Sequence, residues 1–242
     1  MMKTDLFEKY KKDRKRLERL LSCLDPLAPV LPSAHAFLKS FLGDGDYAMR
    51  YRYEHCVRAA HWGKRIAEKE NWNPEPLTLA SLLHDAGYPF CKTMEEWPCH
   101  AALSARVAGM FLAKMGYDAA LSASICRAIE IHDRWEDVPL NATAFELSVR
   151  DADDLDRFDV LRLTLSARAD IGEQNAAALA AVCEKRLAQL TEWEMRPCGT
   201  EAARQMWLET LAIRRDYYTR LHRQMQATLE MAGQLSQEQD AP

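Results

Sequence analysis

Residues 73–89 read NPEPLTLASLLHDAGYP, and this stretch decides the fold. Asn73 is a good side-chain cap and Pro74 suits a first helical turn. Leu79, Leu82 and Leu83 follow at helical spacing as a buried stripe. Gly87, with Pro89 just beyond it, predicts the stop. The reading therefore places His84 and Asp85 in the last turn of a buried helix. Unsatisfied polar groups cost about 2–7 kcal/mol each in such a place, so both side chains need partners.

The flanking sequence repeats the pattern. Upstream, His55, Ala59, Trp62 and Ile66 fall at i, i+4, i+7 and i+11, one face of a helix. Downstream, a loop at 88–98 leads into His100, Leu103, Val107, Met110 and Phe111, a one-sided stripe ending at Gly116. Residues 119–133 predict a helix that buries Leu121, Ile125, Ala128, Ile129 and His132. Residues 142–158, ATAFELSVRDADDLDRF, predict another, carrying Asp151. Residues 173–231 predict two or three more, interrupted near Pro197-Cys198-Gly199. Before all of these, residues 5–22 predict a helix with Phe7, Tyr10, Leu17, Leu20 and Leu21 on one side. Residues 25–46 read as a connection with one short helix at 35–42, and the polar tail 234–242 is expected to fray. No segment alternates as a strand.

Composition agrees with an all-α chain. Only nine glycines and ten prolines occur in 242 residues, too few for the turns of an all-β fold. A net charge of -4 from 36 acids and 32 bases disfavours a broadly basic nucleic-acid binder. That charge is uneven: ten acids against three bases lie between Glu130 and Asp159, a cation-ready segment. Most of them read as a solvated helix face. Asp151, beside the apolar Val149 and Ala152, is the one expected to be buried. Seven cysteines occur without a C-x-x-C pair. The N-terminus MMKTDLFEKYKKDRKRLERLL is charged throughout, and no run approaches the roughly 18 apolar residues of a membrane helix. These features predict a cytoplasmic chain with free thiols and no membrane role.

Any one of His55, His84, His100 and His132 could be an ordinary hydrogen-bonded core residue. Four on four successive helices, one followed directly by an acid, are harder to explain so. A metal that takes their lone pairs as ligands removes the burial cost.

The order His55, His84-Asp85, His100, His132, Asp151 resembles the HD-domain superfamily of metal-dependent phosphohydrolases. The local strings EHCVRAAHWGKRIAE, LASLLHDAGYP and RDADDLDRFD are similar to that family's H-x-x-R-V helix, its LLHD segment and the D-A-D-x-L-D segment of its stand-alone members. The C-terminal helices are similar to those of the small-hydrolase branch, so the resemblance covers about residues 50–225. It implies an all-α HD-domain helical bundle at 46–232, with the C-terminal helices on the same core, a helical extension at 1–45 and a polar tail at 233–242. It also implies that His55, His84, Asp85 and Asp151 bind one divalent metal. His100 and His132 complete a second site, bridged by Asp85. One or two ions of Mn, Fe, Co, Ni or Mg suit these nitrogen and oxygen donors. Activated water would then attack phosphorus in a small phosphate ester or anhydride, most simply a nucleotide.

Asp85 and Arg58 are the catalytic candidates. Arg58, one turn after His55, and Lys92 in the following loop are candidates for gripping substrate phosphate. Arg58 could equally pair with the acids at 151–156. Trp62, Trp97, Trp135 and Tyr88 read as core or loop anchors, with Trp97 or Tyr88 placed to stack a base. Tyr53 and Glu54 either line the entrance or cap their helix. His35, His61 and His222 have no motif context. The chain departs from the family in reading His-Asp-Ala-Gly-Tyr where His-Asp-Ile-Gly-Lys is common. Its Gly87-Tyr88-Pro89 lies in the wrong place for a cyclic-dinucleotide phosphodiesterase, whose activity is not inferred. Two other readings share the ligand set: a di-iron HD-fold oxygenase, and a non-catalytic signalling module. A homo-oligomer is compatible with the sequence.

Overall fold

The computed structural model describes residues 5–134, 137–172 and 174–239; Trp135 and Glu136 lie outside the described residues. No strand occurs among them, and no described helix is long and apolar enough to cross a membrane. The chain divides into two compact units, residues 1–156 with 198–203, and residues 157–197 with 204–242.

The first unit contains α1 (Leu6–Lys9), α2 (Lys11–Ser22), α3 (Val30–Leu38), α4 (Tyr47–Lys69), α5 (Pro74–Leu83), α6 (His100–Lys114), α7 (Ala119–Ile131) and most of α8 (Ala144–Phe158). The expected N-terminal helix is broken at Tyr10, and the expected short helix starts earlier, at Val30, and runs on as a π turn at Lys39–Gly43. At the centre is α5, packed against α3, α4, α6 and α7. Seven of its ten residues are buried, so it is apolar nearly all round, as a central helix must be. Asn73 caps it by accepting the Glu75 amide at 3.1 Å. Gly63 on α4 lets the two helices approach: a Cβ there would strike Ser81 Oγ and lie 3.1 Å from the Leu77 carbonyl oxygen.

The N-terminal helices join this core. Phe7 stacks on Phe90 with ring centroids 4.1 Å apart. Glu96, in the loop between α5 and α6, accepts bonds from Lys9 Nζ at 2.6 Å, the Tyr10 hydroxyl at 2.7 Å and the Lys92 and Thr93 amides at 2.8 and 3.0 Å. One carboxylate thus fixes the first helices to the loop that follows the His-Asp doublet.

The second unit contains α9 (Val160–Ile171), α10 (Ala176–Glu194) and most of α11 (Glu201–Gln239). Phe158 meets Trp193 and Trp207 edge-on at 4.7 and 4.8 Å, and Trp207 is fully buried. The polar stretch from Gln234 continues α11 as far as Gln239, where fraying was expected; Asp240, Ala241 and Pro242 lie outside the described residues.

Candidate metal centre

Helix α5 ends at Leu83, before the expected stop at Gly87. His84 is its C-cap and donates Nδ1–H to the Ser81 carbonyl at 2.7 Å. Helix ends leave carbonyls without partners, and the imidazole satisfies one of them. His132, the C-cap of α7, does the same to Ile129 at 2.6 Å. His100, the first residue of α6, bonds the Trp97 carbonyl at 2.8 Å. The spacing is i to i−3 in all three. A carbonyl can only accept, so each Nδ1 carries a proton, the tautomer that in a neutral ring leaves the lone pair on Nε2. His55, mid-way along α4, donates Nδ1–H to Asp156 at 2.6 Å, the carboxylate–histidine arrangement that orients metal-binding imidazoles.

The four Nε2 atoms converge in two pairs. His55 and His84 Nε2 are 3.1 Å apart, and His100 and His132 Nε2 are 3.3 Å apart. Asp85 lies between the pairs. Its Oδ2 is 3.7 and 3.6 Å from His55 and His84 Nε2, and its Oδ1 is 3.6 and 3.9 Å from His100 and His132 Nε2. Asp153 Oδ1 completes the first set, 3.0 Å from His55 and 3.7 Å from His84. Donors around one cation at bond lengths of about 2.1 Å are separated by about 3.0–3.4 Å, so both sets are near the spacing a divalent ion requires. Every member is buried, His100 being the most exposed at 6%. Imidazole nitrogens and carboxylates converging in a buried space fit a divalent cation.

Electrostatics follow the same division. Burial lowers the His55 pKa, but bonds to Asp153 and Asp156 outweigh it and raise the group to about 9. Burial holds His84 and His132 below the ordinary histidine value, favouring the neutral ligand form. Burial works against Asp85 ionising, yet His84, Arg52 and the other histidines keep its carboxyl well below the usual range. Cys56 also lies within reach of His84 and Asp85. Burial pushes its thiol well up, so a protonated sulfur is a poor competitor to the nitrogen and oxygen donors.

Asp151, the ligand picked from sequence, is not in the cluster. It is buried, but its Oδ2 accepts the Gly199 amide at 2.7 Å. Asp153 takes the place beside His55 and His84 because it shares a helix face with Val149, Ala152 and Asp156, at i, i+3, i+4 and i+7. Arg58 is bound to Asp156 through Nε at 2.5 Å and Nη2 at 3.2 Å. It therefore braces the carboxylate that orients His55. Lys92 pairs with Asp13 at 3.1 Å, with its ammonium turned to the N-terminal helices.

Besides Asp153, two residues of the site have no place in the sequence reading. Asp156 is the bond partner of His55, and its signal was the shared face with Asp153. Arg52 donates Nη1–H to Asp85 Oδ2 at 3.0 Å and lies 3.9 Å over the Tyr88 ring. Its signal was a charge three residues before His55, on the same side of the helix. Tyr88 is enclosed by Arg52 and by His100, whose ring is 4.8 Å away, whereas Trp97 is 48% exposed. Tyr53 bonds His35 at 2.7 Å, and His222 bonds Glu184 at 3.1 Å. Leu121 is 41% exposed and not part of the buried face of α7.

Residues 52–161 match the model of the HD domain. The chain carries an HD domain. HD domains belong to a superfamily of metal-dependent hydrolases, and the matched segment spans α4 to the start of α9, including every residue of the two donor sets. Neither the curated proteins nor the solved structures give a significant match.

Proposed function

We propose that the protein is a divalent-metal-dependent phosphohydrolase of a small phosphate ester or anhydride, a nucleotide being the substrate class favoured. The observation that carries this is the two donor sets, His55 with His84 and Asp153 and Asp85 with His100 and His132, with Asp85 Oδ2 also 3.6 Å from His84 Nε2. His55, His84, Asp153 and Asp85 Oδ2 would hold one ion; His100, His132 and Asp85 Oδ1 would hold another. Mn, Fe, Co, Ni and Mg suit these donors. Such ions neutralise charge on phosphoryl oxygens and lower the pKa of water toward about 7.

The chain's own groups supply orientation and charge. Asp156 and Arg58 lock the His55 ring. The carbonyls of Ser81, Trp97 and Ile129 lock the other three, so the donors stand ready without reorganisation. Arg52 reaches Asp85 with one nitrogen, and we assign the rest of its fork to a phosphoryl oxygen. Exposed Trp97, whose carbonyl holds His100, is the ring available to stack a base. The seven unpaired thiols suit a cytoplasmic, reducing setting.

The test is a nucleotide and phosphoester panel run against Mn, Co, Ni, Fe and Mg. Asp85→Ala serves as the control, and elemental analysis is done on protein that has never met a chelator. Phosphate release that needs an added metal and vanishes in Asp85→Ala is expected. Arg52→Gln should lower kcat/KM by about tenfold to a hundredfold through the lost charged bond, with metal content unchanged. Metal-free protein with no release under any metal would overturn the reading. An iron-loaded sample with a mixed-valence EPR signal and no release would transfer it to an oxygenase.

A further inference from the structure

The second unit contains a cavity of about 180 Å³ that the HD domain reading leaves unused. Arg157, Arg162, Arg186 and Arg214 line it, with Phe158 and Trp193 among the apolar walls, and none of its lining residues is acidic. All belong to the second unit, and none is a member of the two donor sets.

The arginines are held in a built arrangement. Arg186 forks onto Asp170, through Nε at 3.1 Å and Nη2 at 2.7 Å, and Tyr218 donates to the same carboxylate at 3.0 Å. Arg214 is buried, 7% exposed. It donates Nε–H to the Phe158 carbonyl at 2.5 Å and Nη2–H to the Arg157 carbonyl at 3.3 Å, with its guanidinium 4.9 Å over the Phe158 ring. Carbonyl dipoles orient this cation, and the carboxylates of Asp159 and Asp170 act on its charge from nearby. Burial first, and then the nearby Arg186 and Arg162, lower the Arg214 pKa; positive charge is crowded here.

Four guanidinium groups facing one small cavity make a positive field that draws an anion toward it. The planar fork of arginine matches phosphate oxygens two at a time. The size narrows the ligand. Pockets for drug-sized molecules run about 300–1,000 Å³, so this one takes a phosphate group with few attached atoms. Phe158, Leu190 and Trp193 offer those atoms an apolar wall.

We propose that this cavity binds phosphate or a small phosphate monoester, gripped by Arg162, Arg186 and Arg214. The proposal stands independently of the metal chemistry. It is tested by calorimetric titration of the full-length protein with inorganic phosphate and, separately, ribose 5-phosphate. Ionic strength is held constant, and titrations are run before and after EDTA treatment. Saturable binding of at least one probe that survives EDTA is expected, with the tighter probe identifying the ligand form. Arg162→Gln and Arg214→Gln should weaken it about tenfold or more. Circular dichroism melts check each variant. Should Arg214→Gln fail to fold, because that side chain ties Phe158, Arg162→Gln decides. No binding of either probe up to about 1 mM, loss of binding on EDTA treatment, or unchanged affinity in folded Arg162→Gln would each overturn the proposal.

Discussion

Asp153→Asn and Asp151→Asn separate two carboxylates that lie two residues apart on one helix and differ completely in surroundings. Asp153 Oδ1 is 3.0 Å from His55 Nε2 and 3.7 Å from His84 Nε2; Asp151 accepts the Gly199 amide. At about 4 Å and an effective dielectric near 20, a carboxylate and one positive charge attract by about 4 kcal/mol, doubled for a divalent ion and then reduced by desolvation. A net loss of at least about 2.7 kcal/mol follows for Asp153→Asn, a hundredfold weaker first ion. Asp151→Asn retains an oxygen that can accept the Gly199 amide, so its metal affinity should stay within about threefold of wild type, since that bond is made outside the cluster. The assay is competition for Mn or Co against a fluorescent chelator, on protein stripped with EDTA, with thermal melts to confirm folding. If Asp151→Asn lost the ion while Asp153→Asn kept it, the assignment of the donor set would be refuted.

Other consequences can be checked with the same material. Asp156→Asn should weaken metal binding about tenfold to a hundredfold by loosening His55, with the ligands themselves intact; chelator competition measures it. Gly87→Ala would drive a Cβ into the Ser104 amide nitrogen and to 2.7 Å from Leu103 Cβ, so it should cost about 3 kcal/mol or more, read as a fall in the urea midpoint. Glu96 is held at about 2 by Lys9 first, then by Tyr10 and the Lys92 and Thr93 amides, against an ordinary value of 4.5. Its folded pKa is depressed, so its contribution is full above about pH 4.5 and is lost as pH falls toward 2. The stability advantage of wild type over Glu96→Gln should therefore shrink across that window in urea melts at stepped pH.

Much of the centre was legible because histidines on buried helix stripes are conspicuous. His55, His84, His100 and His132 each fell at an apolar position of a 3.6-residue pattern, and each reaches the cluster. The apolar neighbours Val149 and Ala152 point to Asp151. Helical phase was the better guide, since Val149, Ala152, Asp153 and Asp156 share one face. Arg58 had two readings, and the acid pairing is the one the geometry shows. Lys92 and the Phe7–Phe90 stack depend on contacts between residues far apart in sequence, which no local pattern encodes. Gly87 is a strong stop signal, yet the His84 ring, bonded to the Ser81 carbonyl, closes α5 earlier.

The three histidines hooked onto carbonyls three residues back have a consequence for dynamics. A terminal turn ordinarily frays first and most often, on its own and at little cost. Here the ends of α5 and α7 and the turn leading into α6 are each tied through an imidazole to one shared cluster. Filling the cluster therefore pins three chain ends at once, and opening any of them expels a ligand. Amide exchange at Ala86, Cys99 and Arg134, whose amides bond carbonyls in or beside these turns, should slow together on metal addition. The ion would then serve as a clasp on the fold as well as a reagent.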